Sequence, residues 1–389
     1  MKITKVETLA CMAGWRAWVF VKITTDAGIT GYSECTDSFG SNRAVRAAIH
    51  DLGEKIVGAN PLQYEKIFWD LYRITRQSAG GIIQKAIGGI ENALLDIKGK
   101  ALGVSVTELF GGPLRDELRI YWSHCGTTRA RTWKHVGKEP LLTLNDVAAL
   151  GREVKDRGYT ALKTNIITPG NPPTVVSQGF RGDGYDQGIS RKHLADMEAL
   201  IGTFRDAVGP EVDILLDLNF HFKPEGMVEV GRVLEQFNLF WLELDVYNEK
   251  ALRQVKDSVN IPIASCEDLF TPRGYRPYFE ARGVDVAVID VLWNGFAQSK
   301  KIADLADAYE LSVAPHNHYS PLSTLISAQW CRAIPNMRIF ELDVDDIPWR
   351  DDLLTAAPTI KNGHLTVPDG PGWGADLNEE VVLAHGWEN

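Results

Sequence analysis

Three short segments decide the fold. They are Asp213-Ile214-Leu215-Leu216-Asp217-Leu218-Asn219, Phe240-Trp241-Leu242-Glu243-Leu244-Asp245 and Pro262-Ile263-Ala264-Ser265-Cys266-Glu267. Each is an apolar run that ends in an acid, and an amphipathic stretch separates one from the next. Runs that are apolar on both faces suit parallel strands covered by helices. Outward from these three, polar ends recur at Asp290, His316 and Glu341. Starting from Asp217, the intervals are 26, 24, 23, 26 and 25 residues. One strand, one helix and two short loops need about that length. In a parallel barrel all such strand ends meet at one mouth, where active sites sit. Six ionisable side chains in this register predict a shared site.

The rhythm extends backwards. Strands are expected near 119–123, 160–164, 213–218, 240–244, 262–265, 284–289, 311–314 and 338–340. The interval from Lys163 to Asp217 is 54 residues, about one unit too long. The surplus is 168–190, TPGNPPTVVSQGFRGDGYDQGIS, whose Gly, Pro and Asp content predicts a long loop. A second long loop, 126–142, carries Arg129, Arg131, Trp133, Lys134 and His135. Long loops at a barrel mouth are commonly lids or contact surfaces.

The first 115 residues follow another pattern. Residues 18–23, WVFVKI, and 29–34, ITGYSE, read as antiparallel strands around the turn Asp26-Ala27-Gly28. From 43 to 103 apolar residues recur at helical spacing. Residues 1–115 are therefore expected to form an α+β unit, and 116–354 the barrel. The tail 355–389 lies outside the barrel register and is expected to return to the first unit.

Composition narrows the class. The chain has 389 residues, 44% hydrophobic and 24% charged, which excludes a wholly disordered protein. A net charge of -10 argues against a general nucleic-acid binder. Cys11, Cys35, Cys125, Cys266 and Cys331 are widely spaced with no CxxC, so neither a disulfide scaffold nor a zinc knuckle is expected. Lys2, Lys5 and Glu7 interrupt the N-terminal apolar residues, which read as a strand and not as a signal peptide. No run of about 18 apolar residues occurs, so no membrane span is expected. The expectation is a cytoplasmic protein.

The chemistry follows from the strand ends. Asp217, Glu243 and Glu267 form a hard-oxygen set suited to Mg²⁺. Without a cation, three crowded acids raise one another's pKa. Asp290, one unit before His316, is placed to orient its imidazole as a base. His316-Asn317-His318 also makes an HxH, which binds zinc in metallohydrolase barrels. Those barrels draw the motif from an early strand, whereas here it follows the seventh and the other ends are acids. Lys163, inside an apolar strand, needs an anionic partner at the mouth or a route to solvent.

These residues resemble the enolase superfamily, mandelate racemase subgroup, over nearly the whole chain. Thr25-Asp26-Ala27-Gly28-Ile29-Thr30-Gly31-Tyr32-Ser33-Glu34 looks like that family's capping-domain hairpin. Residues 91–101, ENALLDIKGKA, followed by Leu109-Phe110-Gly111-Gly112, look like its helix leading into the barrel. The resemblance implies an α/β fold, a modified (β/α)7β TIM-type barrel under an α+β capping domain. It implies one Mg²⁺ on Asp217, Glu243 and Glu267, and a His316–Asp290 dyad. It also implies a substrate-side Glu341 on the eighth strand and Asn219 two residues after the first ligand. Many members carry Lys-x-Lys on the second strand, the second Lys being a base. Here Lys163-Thr164-Asn165 lacks it, which weakens a racemase or epimerase and is similar to D-galactonate dehydratases. Those enzymes carry a His two residues after the first ligand. This chain has Asn219 there and His221 two further on. The usual Glu-Glu-Pro after the fourth strand is Glu243-Leu244-Asp245.

The resemblance implies dehydration of an aldonate-type sugar acid to a 2-keto-3-deoxy acid through a metal-stabilised enediolate. His316 would take the α-proton, with Lys163 and Glu341 assisting. The same His316, once protonated, or another acid would then expel the β-hydroxyl as water. His221 is a candidate for that second acid, or else a surface histidine, and His124 after the first strand is similar. Asn165, Asn219, Arg16, His318 and His124 are candidates for substrate binding; a solvated strand position fits Arg16 equally well. An epimerase, a lactone cycloisomerase and a silent sugar-acid-binding homologue are the alternatives. The expected partner is a small molecule, with no nucleic acid and no membrane, and a homo-oligomer is expected from family habit.

Overall fold

The computed structural model describes residues 1–37, 40–176 and 187–387. The chain opens with β1 (Ile3–Ala13), β2 (Arg16–Thr25) and β3 (Thr30–Glu34), an antiparallel sheet in sequential order. Three helices pack on it: α1 (Asn42–Glu54), α2 (Tyr64–Ile74) and α3 (Gly81–Leu102). Val19, Val21, Ile23, Ile49, Phe68, Ile90 and Leu94 are buried together between sheet and helices. A lone sheet could not keep its apolar face dry, and the helices cover it.

The barrel begins at β4 (Glu117–Ser123) and continues with β5 (Ala161–Thr164). A small hairpin, β6 (Ile167–Thr168) and β7 (Thr174–Val175), follows. It falls where the sequence predicts only loop, and residues 177–186 of that loop lie outside the described residues. Then come β8 (Asp213–Asp217), β9 (Trp241–Glu243), β10 (Ile263–Ser265), β11 (Val286–Ile289), β12 (Ser312–Pro315) and β13 (Phe340–Asp343). Neighbours from β4 to β12, omitting the hairpin, are parallel, and β13 pairs parallel with β4. A parallel bridge between Val313 and Met337 closes the ring. Helices join successive strands, as parallel connections require.

Two expectations need correction. The last strand runs over Phe340–Asp343, later than the expected 338–340, so Glu341 lies within it. The loop 126–142 contains a short helix, Thr127–Arg131, and its Arg129 is buried against Asp345 and Glu153. The tail forms a hairpin of β14 (Thr359–Lys361) and β15 (His364–Thr366), and β15 pairs antiparallel with the first residues of β4. Beyond it, Gly386 bridges to Cys11 of β1.

Strand periodicity positions the site. Inside the ring, Tyr121, Ala161, Leu215, Trp241, Val288, Ala314 and Ile339 form a buried apolar plug. Two residues further along the same strands stand Ser123, Lys163, Asp217, Glu243, Asp290, His316 and Glu341. Alternate residues of a strand face the same side. The polar set is therefore the layer above the plug, at the C-terminal mouth. The five cysteines are all buried and free. Among the described residues no helix is long and apolar enough to cross a membrane.

Candidate active site

Lys163 is the centre of the acidic layer. Its Nζ lies 2.8 Å from Glu341 Oε1, 3.0 Å from Glu243 Oε2 and 3.8 Å from Asp217 Oδ2. It also faces the ring of Tyr121, 5.4 Å from its centroid. Burial alone would discharge this ammonium, but Glu243 and Glu341 outweigh it and hold its pKa well above the usual lysine value. Glu341 is likewise buried, yet Lys163 and His316 keep its carboxyl well below the ordinary range. Its oxygens also accept from Ser123 Oγ at 2.6 Å and the Asn317 N–H at 2.7 Å. Glu243 moves the other way: burial, with Asp217 and Glu341 nearby, raises it despite Lys163.

Glu243 Oε2 also accepts from Trp241 Nε1 at 3.0 Å. Asp217 Oδ1 accepts from the backbone and side-chain amides of Asn219, at 2.7 and 2.6 Å. Asn219 is thus engaged with the first acid of the set. Glu267 breaks the period of two, and the turn before it explains why. Cys266 adopts a left-handed backbone with φ of 89°, and Asp245 accepts its N–H at 2.8 Å. Asp245, buried, also accepts from Ser265 Oγ. This turn delivers Glu267 to the mouth.

Asp217 and Glu243 are direct register partners on β8 and β9, and β10 pairs with β9 at Ala264. The three acids therefore come from adjacent strands. Among the described residues no three His, Cys, Asp or Glu groups converge as a ready cage, and Glu243 is turned onto Lys163 and Trp241. The donor set nevertheless fits a hard divalent cation. It is all oxygen, it already gathers the lysine cation, and burial and mutual repulsion raise Glu243 and Glu267.

His316 lies across the mouth. Its Nδ1 is 2.7 Å from Asp290 Oδ2. Asp290 also accepts from the Tyr319 hydroxyl at 2.9 Å and the Trp293 N–H at 2.8 Å. A carboxylate surrounded by donors leaves Nδ1 as the proton-bearing nitrogen, and Nε2 points to the mouth, 3.7 Å from Glu267. Burial pulls the imidazole down, but Glu267 and Asp290 outweigh it and push it up to about 10. Trp293 packs edge-on against the ring at 5.4 Å.

The helix α3 fixes this side of the site. Asn92 Oδ1 accepts the Phe296 N–H at 2.8 Å and its Nδ2 donates to the Val291 carbonyl. Lys85 lies over Trp293 at 3.6 Å, and Glu34 of β3 accepts from the Ser320 N–H at 3.2 Å. The segments that carry Asp290 and His316 are thus clasped by the first hundred residues.

Other candidates fall into place unevenly. His318 lies 4.7 Å from the His316 ring and 5.7 Å from His124. His124 Nδ1 is 2.7 Å from Asp343 Oδ1. Arg16 reaches Asp343 at 3.3 Å and Asp346 at 2.8 Å, between Trp15 and Trp18. Asn165 accepts from Thr127 Oγ1 at 2.9 Å and donates to the Asp217 carbonyl. His221 is buried with its ring edge-on to Phe222 at 4.5 Å. Sequence reasoning missed Asp343, although it shares the face of Glu341 two residues earlier. It also missed Tyr319 and Trp293.

Residues 146–381 match the family described as "Enolase C-terminal domain-like", and residues 8–111 match the "Mandelate racemase / muconate lactonizing enzyme, N-terminal domain". The chain belongs to the mandelate racemase subgroup of the enolase superfamily. This enolase-superfamily protein is 31% identical to a D-xylonate dehydratase of Haloferax volcanii, over 99% of this chain and 89% of that protein. It is 27% identical to a D-galactonate dehydratase of Ralstonia pickettii, over 100% of this chain and 97% of that one. It also resembles a crystal structure from Burkholderia xenovorans strain LB400, bound to magnesium and fumarate and provisionally named L-alanine-DL-glutamate epimerase. That likeness has a TM-score of 0.96 and 46% identity, over 99% of this chain and 96% of that one.

Proposed function

We propose that this protein is a Mg²⁺-dependent hydro-lyase that dehydrates an aldonate-type sugar acid to a 2-keto-3-deoxy acid. One observation carries the reading. The mouth places an oriented base, His316 on Asp290, at the acidic layer, while Asn165, where the second-strand base of racemases would stand, carries no basic group and is tied to Thr127 and Asp217. Elimination needs one base at the α-carbon, whereas inversion by two bases needs one on each face. The dehydratase relatives support it.

In this reading residues 1–115 and 355–389 cap the barrel formed by 116–354. Asp217, Glu243 and Glu267 would hold the divalent cation, which supplies fixed positive charge against the substrate carboxylate. Lys163 adds a second fixed charge beside the same oxygens. With Glu267 engaged as a ligand, the charge that chiefly holds His316 protonated would be offset, and the neutral imidazole takes the α-proton at Nε2 while Asp290 stabilises the resulting imidazolium. The electron pair left at the α-carbon forms the enediolate and then the double bond. The β-carbon–oxygen bond breaks, and the oxygen leaves as water. The enol tautomerises to the keto acid. Asn219 and Asn165 keep Asp217 and its strand end in place.

The test is a panel of aldonic and aldaric acids with Mg²⁺ in D₂O. Formation of 2-keto acid supports dehydration. Exchange or inversion at the α-carbon without keto acid would replace it by an epimerase. That second reading has its own support in the 46% identical Burkholderia structure.

A further inference from the structure

We propose that His124, held by Asp343, is the acid that protonates the departing β-hydroxyl. The inference rests on the dehydratase reading and assigns a group to its second half. His124 and Asp343 make a second histidine–carboxylate pair, at 2.7 Å, like His316 and Asp290. His318 spans the two, with its ring 4.7 Å from His316 and 5.7 Å from His124. The row therefore reads Asp290, His316, His318, His124, Asp343 along one side of the mouth. A sugar acid lying along it offers its α-carbon to one dyad and its β-oxygen to the other.

The surroundings of His124 are built. It directly follows β4 and turns the chain with φ of 46°, a left-handed conformation that a non-glycine side chain adopts only at a cost. Its side chain is 26% exposed, while Asp343 is only 3% exposed. The carboxylate is thus a buried anchor and the imidazole its accessible tip. Asp343 accepts from His124 and from Arg16, so Nδ1 is the bonded nitrogen and Nε2 is the one left to act. Arg16 comes from the turn into β2, so the cap of the barrel sets the position of this acid. His221, the other histidine that the sequence offers for the role, packs edge-on to Phe222.

The step balances simply. As the enediolate collapses, its electron pair forms the carbon–carbon double bond. The β-carbon–oxygen bond breaks with its pair on oxygen. The Nε2 proton of His124 moves to that oxygen, water leaves, and His124 is neutral until solvent reprotonates it. Asp343 and Arg16 act through His124 and are positioning residues.

The test uses whichever of D-xylonate, D-gluconate and D-galactonate the wild type converts, with its 3-deoxy-3-fluoro analogue. Fluoride leaves without a proton. His124→Asn is expected to lose keto-acid formation from the hydroxy acid by at least about 100-fold, the usual scale of a general acid. It should keep α-deuterium exchange and fluoride release within about tenfold of wild type, a range well short of that general-acid effect. Fluoride release also shows that the variant is folded. Asp343→Asn should show the same split with a smaller loss. Equal loss of fluoride release and keto acid overturns the role, as does keto-acid formation near the wild-type rate. If the wild type converts none of the acids, the dehydratase reading falls and this role with it.

Discussion

Lys163 Nζ stands 2.8 Å from Glu341 Oε1, a fully buried ion pair that joins the second barrel strand to the eighth. The same ammonium reaches Glu243, so its removal leaves two buried carboxylates without their cation. Removing one partner of such a pair costs about 3–5 kcal/mol. Lys163→Met is expected to lower stability by that order in chemical denaturation, and to reduce turnover below about one per cent, as loss of a fixed charge at the reacting oxygens does. Wild-type stability in the variant would show that the acids do not depend on Lys163.

Mg²⁺ should stabilise the folded protein through Asp217, Glu243 and Glu267. At 100 times its dissociation constant, one bound ion adds about 2.7 kcal/mol. The expected result is a saturable rise in melting temperature, abolished in Glu267→Gln and in Glu243→Gln. Melting without substrate separates binding from catalysis. Full activity after dialysis against EDTA, with no shift on adding Mg²⁺, would remove the cation from the account.

The His316–Asp290 pair makes a kinetic prediction. His316→Asn should abolish α-deuterium exchange as well as keto-acid formation, a loss of about 10²–10⁴ for the base. Asp290→Asn should retain residual exchange, because the imidazole survives but Nδ1 loses its carboxylate partner. Exchange at the wild-type rate in His316→Asn would place the base elsewhere.

The sequence made the barrel legible because strand period and unit length are local quantities. Asp217, Glu243, Asp290 and His316 each sit two residues above a plug residue, and that spacing is visible in the chain itself. The last strand was harder to bound, because Glu341 and Asp343 lie inside it and an apolar-run rule stops before them. Glu267 departs from the period through a left-handed Cys266 anchored by Asp245, a bond across two strands that no pattern announces. Arg16 pairs with Asp343 across 327 residues, which local sequence cannot show. The hairpin at β6 and β7 was hidden because its strands are only two residues long.

Gly88 tests the clasp between α3 and the site. A Cβ there would stand 2.7 Å from the carbonyl oxygens of Leu292 and Trp293, both backbone and unable to swing away. Those residues stand two and three positions after Asp290, in the short helix that it caps. Gly88→Ala is expected to cost about 1–3 kcal/mol through overpacking. Because the strain falls on the Asp290 turn, turnover should fall more than substrate affinity does. Melting and steady-state kinetics measure the two effects, and a variant with unchanged kcat would show that the turn adjusts freely.

Glu91, also on α3, makes stability depend on pH. It is fully buried, and burial pushes its carboxyl up to about 8, the opposing bond from the Ala297 N–H notwithstanding. In the unfolded chain a glutamate titrates near its ordinary value of about 4.3. The folded state therefore binds the proton more tightly. Its contribution to stability is fully present below the unfolded pKa and is lost as pH rises through about 8. The wild-type melting temperature should fall between pH 5 and 9. Glu91→Gln keeps the shape and cannot ionise, so its decline over the same range should be shallower. Parallel declines in the two proteins would show that Glu91 is not the group that titrates.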